Sequence, residues 1–159
     1  MPEHFIYVYT PLGKMALAAA DTHITRLAFC PAEWTRQLEE RTSPLLEEAR
    51  RQLQAYFAGV RHRFELPLAP AGSPFQRKVF DALLQIPYGQ TCSYREVARM
   101  AGNPRASRAV GGANHVNPIA IIIPCHRVIA ADGRWGGYAA GVEKKIFLLQ
   151  LEQAHCPAG

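Results

Sequence analysis

The chain has 159 residues, four cysteines, and 18 lysine and arginine residues against 13 aspartate and glutamate residues, which gives a formal net charge of +5. This length is enough to bury a core in one domain or in two small ones. No apolar run approaches the roughly 18 residues of a membrane-spanning helix, and the N-terminus lacks a secretion signal, so we expect a soluble cytoplasmic protein.

The first part of the chain alternates strand-like runs with turns, which predicts an antiparallel sheet. The strand-like runs are residues 5–9, 15–20 and 24–29. Ser43 followed by Pro44 is a typical helix start, an apolar stripe continues to Phe57, and Gly59 ends the predicted helix. Residues 61–66 are predicted as one more strand.

The best domain boundary is the segment Leu-Ala-Pro-Ala-Gly at residues 68–72, because its proline and glycine interrupt any regular element. We therefore expect an N-terminal domain of residues 1–72 and a C-terminal domain of residues 73–159. The basic excess lies in the second domain, which holds ten basic against five acidic residues, whereas the first holds eight of each. This distribution indicates a polyanionic partner, although a basic domain without a nucleic-acid role explains the charge equally well.

The second domain is predicted to be mostly helical. One helix begins after Ser73 and stops before Pro87, and the spacing from Ser93 to Glu96 is that of a capping box for a second. A break at residues 102–104 separates it from a third helix at residues 105–114, in a helix-turn-helix arrangement. The expected fold is thus α/β of the α+β type, with a small antiparallel sheet and helix followed by a helical domain.

An adjacent cysteine and histidine, Cys125 and His126, follow the apolar run of residues 119–123, which we predict to be a strand. Cysteine reacts as its thiolate, and a neighbouring imidazole is the usual acceptor of the thiol proton. Taken alone, the pair is weak evidence for a reactive cysteine, because adjacent side chains of a strand point to opposite faces. The four cysteines form no Cys-x-x-Cys pair and no Cys and His set at metal-ligand spacing, so we expect neither a metal site nor a disulfide framework.

The surrounding motifs closely resemble the O6-alkylguanine-DNA alkyltransferases. The matching segments are residues 86–98, 107–114 and 117–129, followed by Gly137-Tyr138 and Lys145. The resemblance implies a single-turnover reaction in which an alkyl group moves irreversibly from a damaged base to Cys125, without a cofactor. It also implies double-stranded DNA carrying O6-alkylguanine as the partner, with O4-alkylthymine left open as a second substrate. We expect a monomer, and leave cooperative binding to DNA open.

The resemblance assigns catalytic roles to four residues. Cys125 is the nucleophile, His126 is its base through a bridging water, and Glu152 orients the histidine. Asn117 braces the turn before the cysteine by side-chain hydrogen bonds to the backbone. Without the family, Glu152 reads as a solvated glutamate at the end of a helix, and Asn117 with Pro118 as an ordinary turn.

The family also lays its third helix in the minor groove and rotates the damaged base out of the duplex, which costs a few kcal/mol. Arg108 matches the arginine that fills the vacated space, and Tyr94 the residue that crowds the neighbouring phosphate and reaches the flipped base. A phosphate contact or a solvated side chain is the alternative for Arg108. Further DNA contacts are expected from Ser93, Arg95, Asn103, Ala106 and Ser107.

For the substrate pocket, Tyr138 and Val128 match positions that pack on the guanine or present backbone to its edge. Ala139 stands where some family members have serine, and its backbone amide remains able to serve. Lys145 matches a family lysine that aids electrostatics near the pocket, with an exposed helix lysine as the alternative. Residues 1–72 are expected only to support the second domain.

Two other functions would each use part of this pattern. A non-catalytic alkyltransferase-like protein that binds lesions and flags them for other repair machinery would replace the nucleophile, whereas this chain keeps Cys125. A cysteine hydrolase lacks support, because no glycine-rich oxyanion loop precedes the cysteine and Pro124 removes a backbone donor beside it.

Overall fold

The computed structural model describes residues 2–29 and 32–157, so Cys30 lies outside the described residues. Two compact units are distinguished, a first unit of residues 1–71 with 118–120 and a second unit of residues 72–117 with 121–159. Among the described residues, no helix is both long enough and apolar enough to cross a membrane.

The first unit contains a four-stranded mixed sheet in the order β3-β2-β1-β4. Three strands pair antiparallel as predicted: β1 (His4–Thr10), β2 (Gly13–Ala19) and β3 (Ile24–Phe29). A fourth short strand that was not predicted, β4 (Glu39–Glu40), lies parallel to β1 and makes the sheet mixed. A single-turn 3-10 helix (Glu33–Gln37) precedes β4 in the crossover to the far edge of the sheet.

Helix α1 (Pro44–Phe57) begins as predicted, since the Ser43 side chain accepts a hydrogen bond from the backbone of Leu46 at 3.2 Å. It ends before Gly59, which has a φ of 79°. The strand predicted at residues 61–66 does not form. There the backbone of Glu65 is bonded to the side chain of Gln52 instead of a neighbouring strand, with distances of 2.8 and 3.2 Å.

The second unit contains four helices among its described residues. They are α2 (Pro74–Leu83), α3 (Tyr94–Met100), α4 (Ser107–His115) and α5 (Val142–His155). At α3 the predicted capping box is only half formed. The Ser93 side chain accepts from the backbone of Glu96 at 3.1 Å, but the Glu96 carboxylate pairs with Arg99 instead of reaching back to Ser93.

The segment before Cys125 is a buried turn, so the strand predicted at residues 119–123 is wrong. Ile121 has a φ of 71°, and the backbone N–H of Cys125 bonds to the carbonyl of Ile123 at 2.8 Å. A left-handed conformation at a β-branched residue is strained, by about 1–3 kcal/mol. A short apolar run indicates burial and does not by itself distinguish a strand from a turn in the core. Strand pairing occurs instead between β5 (Cys92–Ser93) and β6 (Val128–Ile129), which lie parallel.

Candidate active site

A cavity of about 570 Å³ opens in the second unit beside α4. Six of the residues singled out from the sequence line it, and Gly111, Asn114, His115 and Gly137 complete the lining. The six are Tyr94, Ser107, Arg108, Cys125, Tyr138 and Ala139. Helix α4 therefore forms one side of the cavity, and the loop of residues 137–139, which precedes α5, forms part of another.

Cys125 begins a single turn of 3-10 helix that ends at Arg127, and only 6% of its surface is exposed. The Asn117 side-chain amide donates to the carbonyl of Ile123 at 2.8 Å and to the Cys125 sulfur at 3.2 Å. One side chain thus braces the turn and contacts the thiol. Burial raises the pKa of the Cys125 thiol, while the Asn117 hydrogen bond and the charge of Lys145 oppose that rise.

His126 is fully buried and its Nε2 lies 2.7 Å from Oε2 of Glu152. Burial lowers the pKa of His126, and the hydrogen bond and charge of Glu152 oppose this. A neutral ring that donates from Nε2 to the carboxylate keeps its lone pair on Nδ1. Nδ1 is buried and has no hydrogen-bonding partner among the described residues, so it is the ring atom left to accept a proton.

Arg127 is the residue that sequence reasoning missed. It donates to both carboxylate oxygens of Glu152, from Nε at 2.8 Å and from Nη2 at 3.1 Å, and its Nη1 donates to the carbonyl of Ile86 at 2.7 Å. The backbone N–H of Gly89 adds a further bond to Oε1 of Glu152 at 3.1 Å. Arg127 directly follows Cys125 and His126 in the matching segment of residues 117–129. Nothing in that segment indicates that Glu152 is the partner of Arg127.

Glu152 is fully buried, so the reading of this residue as a solvated helix-terminal glutamate is wrong. Burial raises the pKa of its carboxyl, but hydrogen bonds and charges from His126 and Arg127 outweigh it and hold the pKa at about 2. The carboxylate is therefore ionised at every pH at which the protein would work. It can orient the imidazole and stabilise its protonated form.

Lys145 is also fully buried, so the reading of it as an exposed helix lysine is wrong. Its Nζ donates to the carbonyl of Val128 at 2.5 Å and to that of Gly137 at 3.1 Å. Burial lowers the pKa of Lys145 to about 8, and the charge of Cys125 opposes this. Lys145 thus links β6 to the loop of residues 137–139 that lines the cavity, and it places a positive charge near the thiol.

The two tyrosines that line the cavity, Tyr94 and Tyr138, are half-buried. Burial raises the pKa of Tyr94, and a hydrogen bond with the backbone of Gly137 opposes that rise. Burial raises the pKa of Tyr138 well above its ordinary value. Both phenols are therefore protonated at neutral pH and able to donate a hydrogen bond.

The other predicted residues lie outside the cavity wall. Val128 is buried in β6 and presents its carbonyl to Lys145. The Ser93 hydroxyl caps α3, and Asn103 Oδ1 accepts from the backbone of Arg105 at 3.2 Å. Arg95 is exposed on α3, and Ala106 precedes α4. Among the described residues, no group of three or more His, Cys, Asp or Glu side chains is arranged to hold a metal ion.

Gly136, just before the lining residues 137–139, offers a test of how closely the backbone must approach Tyr94. A Cβ at Gly136 would lie 2.7 Å from the Tyr94 hydroxyl, and its φ of 73° disfavours a side chain. We expect Gly136→Ala to displace this backbone segment and to slow the reaction of Cys125 roughly tenfold or more. Gly133→Ala is the matched control, since Gly133 has a φ of 87° but nothing within 4 Å of the added carbon. Single-turnover rates of both variants check this, and equal rates would contradict it.

Fold and site together define a protein with a buried cysteine that lines a cavity beside the helix-turn-helix of α3 and α4. Comparison with known families is specific over nearly the whole chain. The DNA-binding domain of 6-O-methylguanine DNA methyltransferase matches residues 74–154, and the ribonuclease-like domain of the same family matches residues 4–70. The chain belongs to the 6-O-methylguanine DNA methyltransferase family.

Curated relatives and solved structures agree. A methylated-DNA–protein-cysteine methyltransferase of Methanosarcina barkeri is 46% identical, with 94% of this chain and 97% of that protein covered. The constitutive one of Bacillus subtilis is 45% identical, with 91% and 92% covered. The crystal structure of the Mycobacterium tuberculosis O6-methylguanine methyltransferase has a TM-score of 0.90 at 43% identity, covering 99% and 96% of the chains. A complex of Mycobacterium tuberculosis OGT with DNA has a TM-score of 0.89 at 43% identity, covering 98% and 96%.

Proposed function

We propose that this protein repairs DNA by moving the alkyl group of O6-alkylguanine irreversibly onto Cys125, once per molecule. As a family member it is an enzyme of the methylated-DNA–protein-cysteine methyltransferase class. The observation that carries the proposal is the buried chain of groups around the thiol. Cys125 lines the cavity, Asn117 contacts its sulfur at 3.2 Å, and the next residue, His126, is bonded to an ionised Glu152.

The reaction needs the thiol proton to leave before the sulfur attacks. His126 Nδ1 takes this proton through a bridging water, while Nε2 stays bonded to Glu152. A bond from sulfur to the alkyl carbon then forms as the bond from that carbon to the guanine oxygen breaks. The electron pair goes to the base, which takes up a proton and becomes guanine. Cys125 remains as a thioether, so a second turnover has no nucleophile.

Lys145 stabilises the thiolate in this scheme, because its charge is the positive one that lowers the pKa of Cys125. Lys145→Met is expected to raise the pKa of Cys125 and so to slow transfer near pH 7, because the thiolate fraction falls as the pKa of the thiol rises. In the parent the lysine charge is lost as pH rises through about 8. That contribution to the pH–rate profile should therefore fade above pH 8 in the parent and be missing in the variant.

Single-turnover rates between pH 6 and 9 measure this effect. Lys144→Met is the matched control, because Lys144 is the neighbouring lysine on α5 and its Nζ donates to the carbonyl of Ala140 at 3.3 Å. A thermal melt of each variant separates loss of folding from loss of charge. Identical pH profiles for parent and Lys145→Met would contradict the electrostatic role.

For the approach of DNA, we propose that α4 lies in the minor groove and that Arg108 replaces the flipped base in the stack. Arg108 is exposed and also lines the cavity, as a residue at its mouth must be. Glycine and alanine positions on α4 allow the close backbone approach that minor-groove binding requires. Tyr94 reaches the flipped base, and backbone contacts are assigned to Ser93, Arg95, Asn103, Ala106 and Ser107. Val128, Tyr138, Ala139 and Lys145 form or support the base pocket.

Mass spectrometry after mixing the protein with a duplex that contains a single O6-methylguanine tests the proposal. The expected result is one added methyl group, confined to the peptide with Cys125 and missing in Cys125→Ala. The same measurement on a duplex with O4-methylthymine tests the second substrate. Tight binding to the lesion without an adduct would overturn transfer and favour the lesion-binding function.

A further inference from the structure

An exposed tryptophan, Trp135, lies two residues before Gly137, which lines the cavity. Trp135 is 43% exposed and lies in a loop of residues 130–137, here called the rim loop, in which residues 131–137 are all exposed. The other tryptophan, Trp34, is half-buried in the first unit and packs edge-on against Phe5. An exposed indole offers another molecule a large planar apolar face together with one N–H donor.

Hydrogen bonds hold the rim loop in place at both ends. At its start, the backbone N–H of Ala130 donates to the carbonyl of Arg134 at 3.0 Å, and the Arg134 guanidinium pairs with Asp132 at 2.6 Å. At its end, Gly137 is bonded to the buried Lys145. Trp135 is therefore presented on a defined turn.

Trp135 does not belong to the lining of the cavity, although Gly137, Tyr138 and Ala139 do. The indole therefore stands outside the space that would hold the flipped base and its alkyl group. The helix that lines another side of the cavity, α4, carries Arg108 at the mouth. DNA that delivers a nucleotide into the cavity from α4 must pass over the mouth, next to the rim loop.

We propose that Trp135 stacks against a nucleotide flanking the flipped one and that Arg134 contacts its phosphate. This inference rests on the proposed function. Rotating a base out of a duplex also disturbs the stacking of the nucleotides beside it, away from the space assigned to Arg108, and an indole can cover the face of such a nucleotide without reading its sequence. Arg134 is 84% exposed, and its ion pair with Asp132 is a surface pair that contributes little stability, so a phosphate beside the indole can replace the carboxylate.

Binding of a duplex with one O6-methylguanine tests this in a Cys125→Ala background, where no transfer interferes. We expect Trp135→Ala to weaken binding roughly tenfold and Trp135→Phe to retain most of the affinity. Arg134→Ala should reduce the slope of log affinity against log salt by about one, whereas Trp135→Ala leaves the slope unchanged. Tyr9→Ala, at a 73% exposed aromatic of the first unit, is the control and should bind like the parent.

A Trp34→Phe background leaves Trp135 as the single indole, so its emission should be quenched when duplex is added. Unchanged affinity in Trp135→Ala together with unchanged emission would overturn the inference. Equal slowing by Trp135→Ala of transfer from duplex and from the free base O6-benzylguanine would also overturn it, because the indole would then touch the alkylated base. Failure of the parent to methylate Cys125 would instead refute the proposed function.

Discussion

Replacing Glu152 by glutamine is expected to destabilise the protein by about 3–5 kcal/mol at neutral pH, the usual cost of breaking a buried ion pair. Glutamine has nearly the same shape, but its amide group must face either His126 or Arg127, both of which donate to the carboxylate. The Arg127 charge is then buried without its counter-charge. Alkyl transfer should fall by about 10²-fold or more, because the imidazole loses the group that fixes its tautomer.

The stabilisation that Glu152 contributes to the folded protein should depend on pH. The pKa of Glu152 is about 2 in the folded protein, below the ordinary value of 4.5. The folded state therefore favours the ionised form, and the stabilisation is fully present above about pH 4.5 and is lost as pH falls toward 2. Urea unfolding between pH 3 and 7 should show this slope in the parent, and Glu152→Gln should reduce it.

Two further variants separate the ion pair from other effects. Glu143→Gln changes an exposed glutamate near the start of the same helix and should leave stability and transfer close to those of the parent. In a double-mutant cycle with Arg127→Met, the second substitution should cost less than it does alone, because the pair is already broken. Strict additivity of the two free energies of unfolding would contradict the coupling.

Arg108→Ala is expected to slow transfer from a duplex by roughly 10²-fold, because the cost of holding a base out of the stack is a few kcal/mol. Transfer from the free base O6-benzylguanine should change much less, since no base has to be flipped. Arg108→Lys should lie between the two, because it keeps the charge but lacks the planar group that stacks.

Single-turnover rates on both substrates make the comparison. Arg105→Ala is the matched control, because Arg105 is an exposed arginine in the turn just before α4 and does not line the cavity. Its rate on duplex should fall only slightly, in proportion to one lost phosphate contact. Equal slowing of both substrates by Arg108→Ala would mean that Arg108 acts on the alkylated base inside the cavity, and it would contradict the role of Arg108 in flipping.

Local signals in the sequence were sufficient for most elements. Ser43 and Ser73, each followed by proline, predicted helix starts that the structure contains, because capping depends on neighbouring residues alone. The apolar run of residues 119–123 was buried as predicted but is a turn with Ile121 left-handed. The burial of this run could be predicted from its hydrophobic residues. Its backbone conformation could not, because hydrophobicity indicates that a residue avoids water but does not indicate which residues it contacts in the core.

The sequence by itself was sufficient to predict the family and the class of enzyme, and it predicts Cys125 as the nucleophile, since these depend on residue types at short spacings around Cys125. Only the tertiary structure decided that Lys145 is buried. It also decided that Arg127 binds both Glu152 and the carbonyl of Ile86, a residue 41 positions before Arg127 in the chain. Contacts between distant residues leave no local pattern. They arise because a buried charge must find partners wherever the fold supplies them.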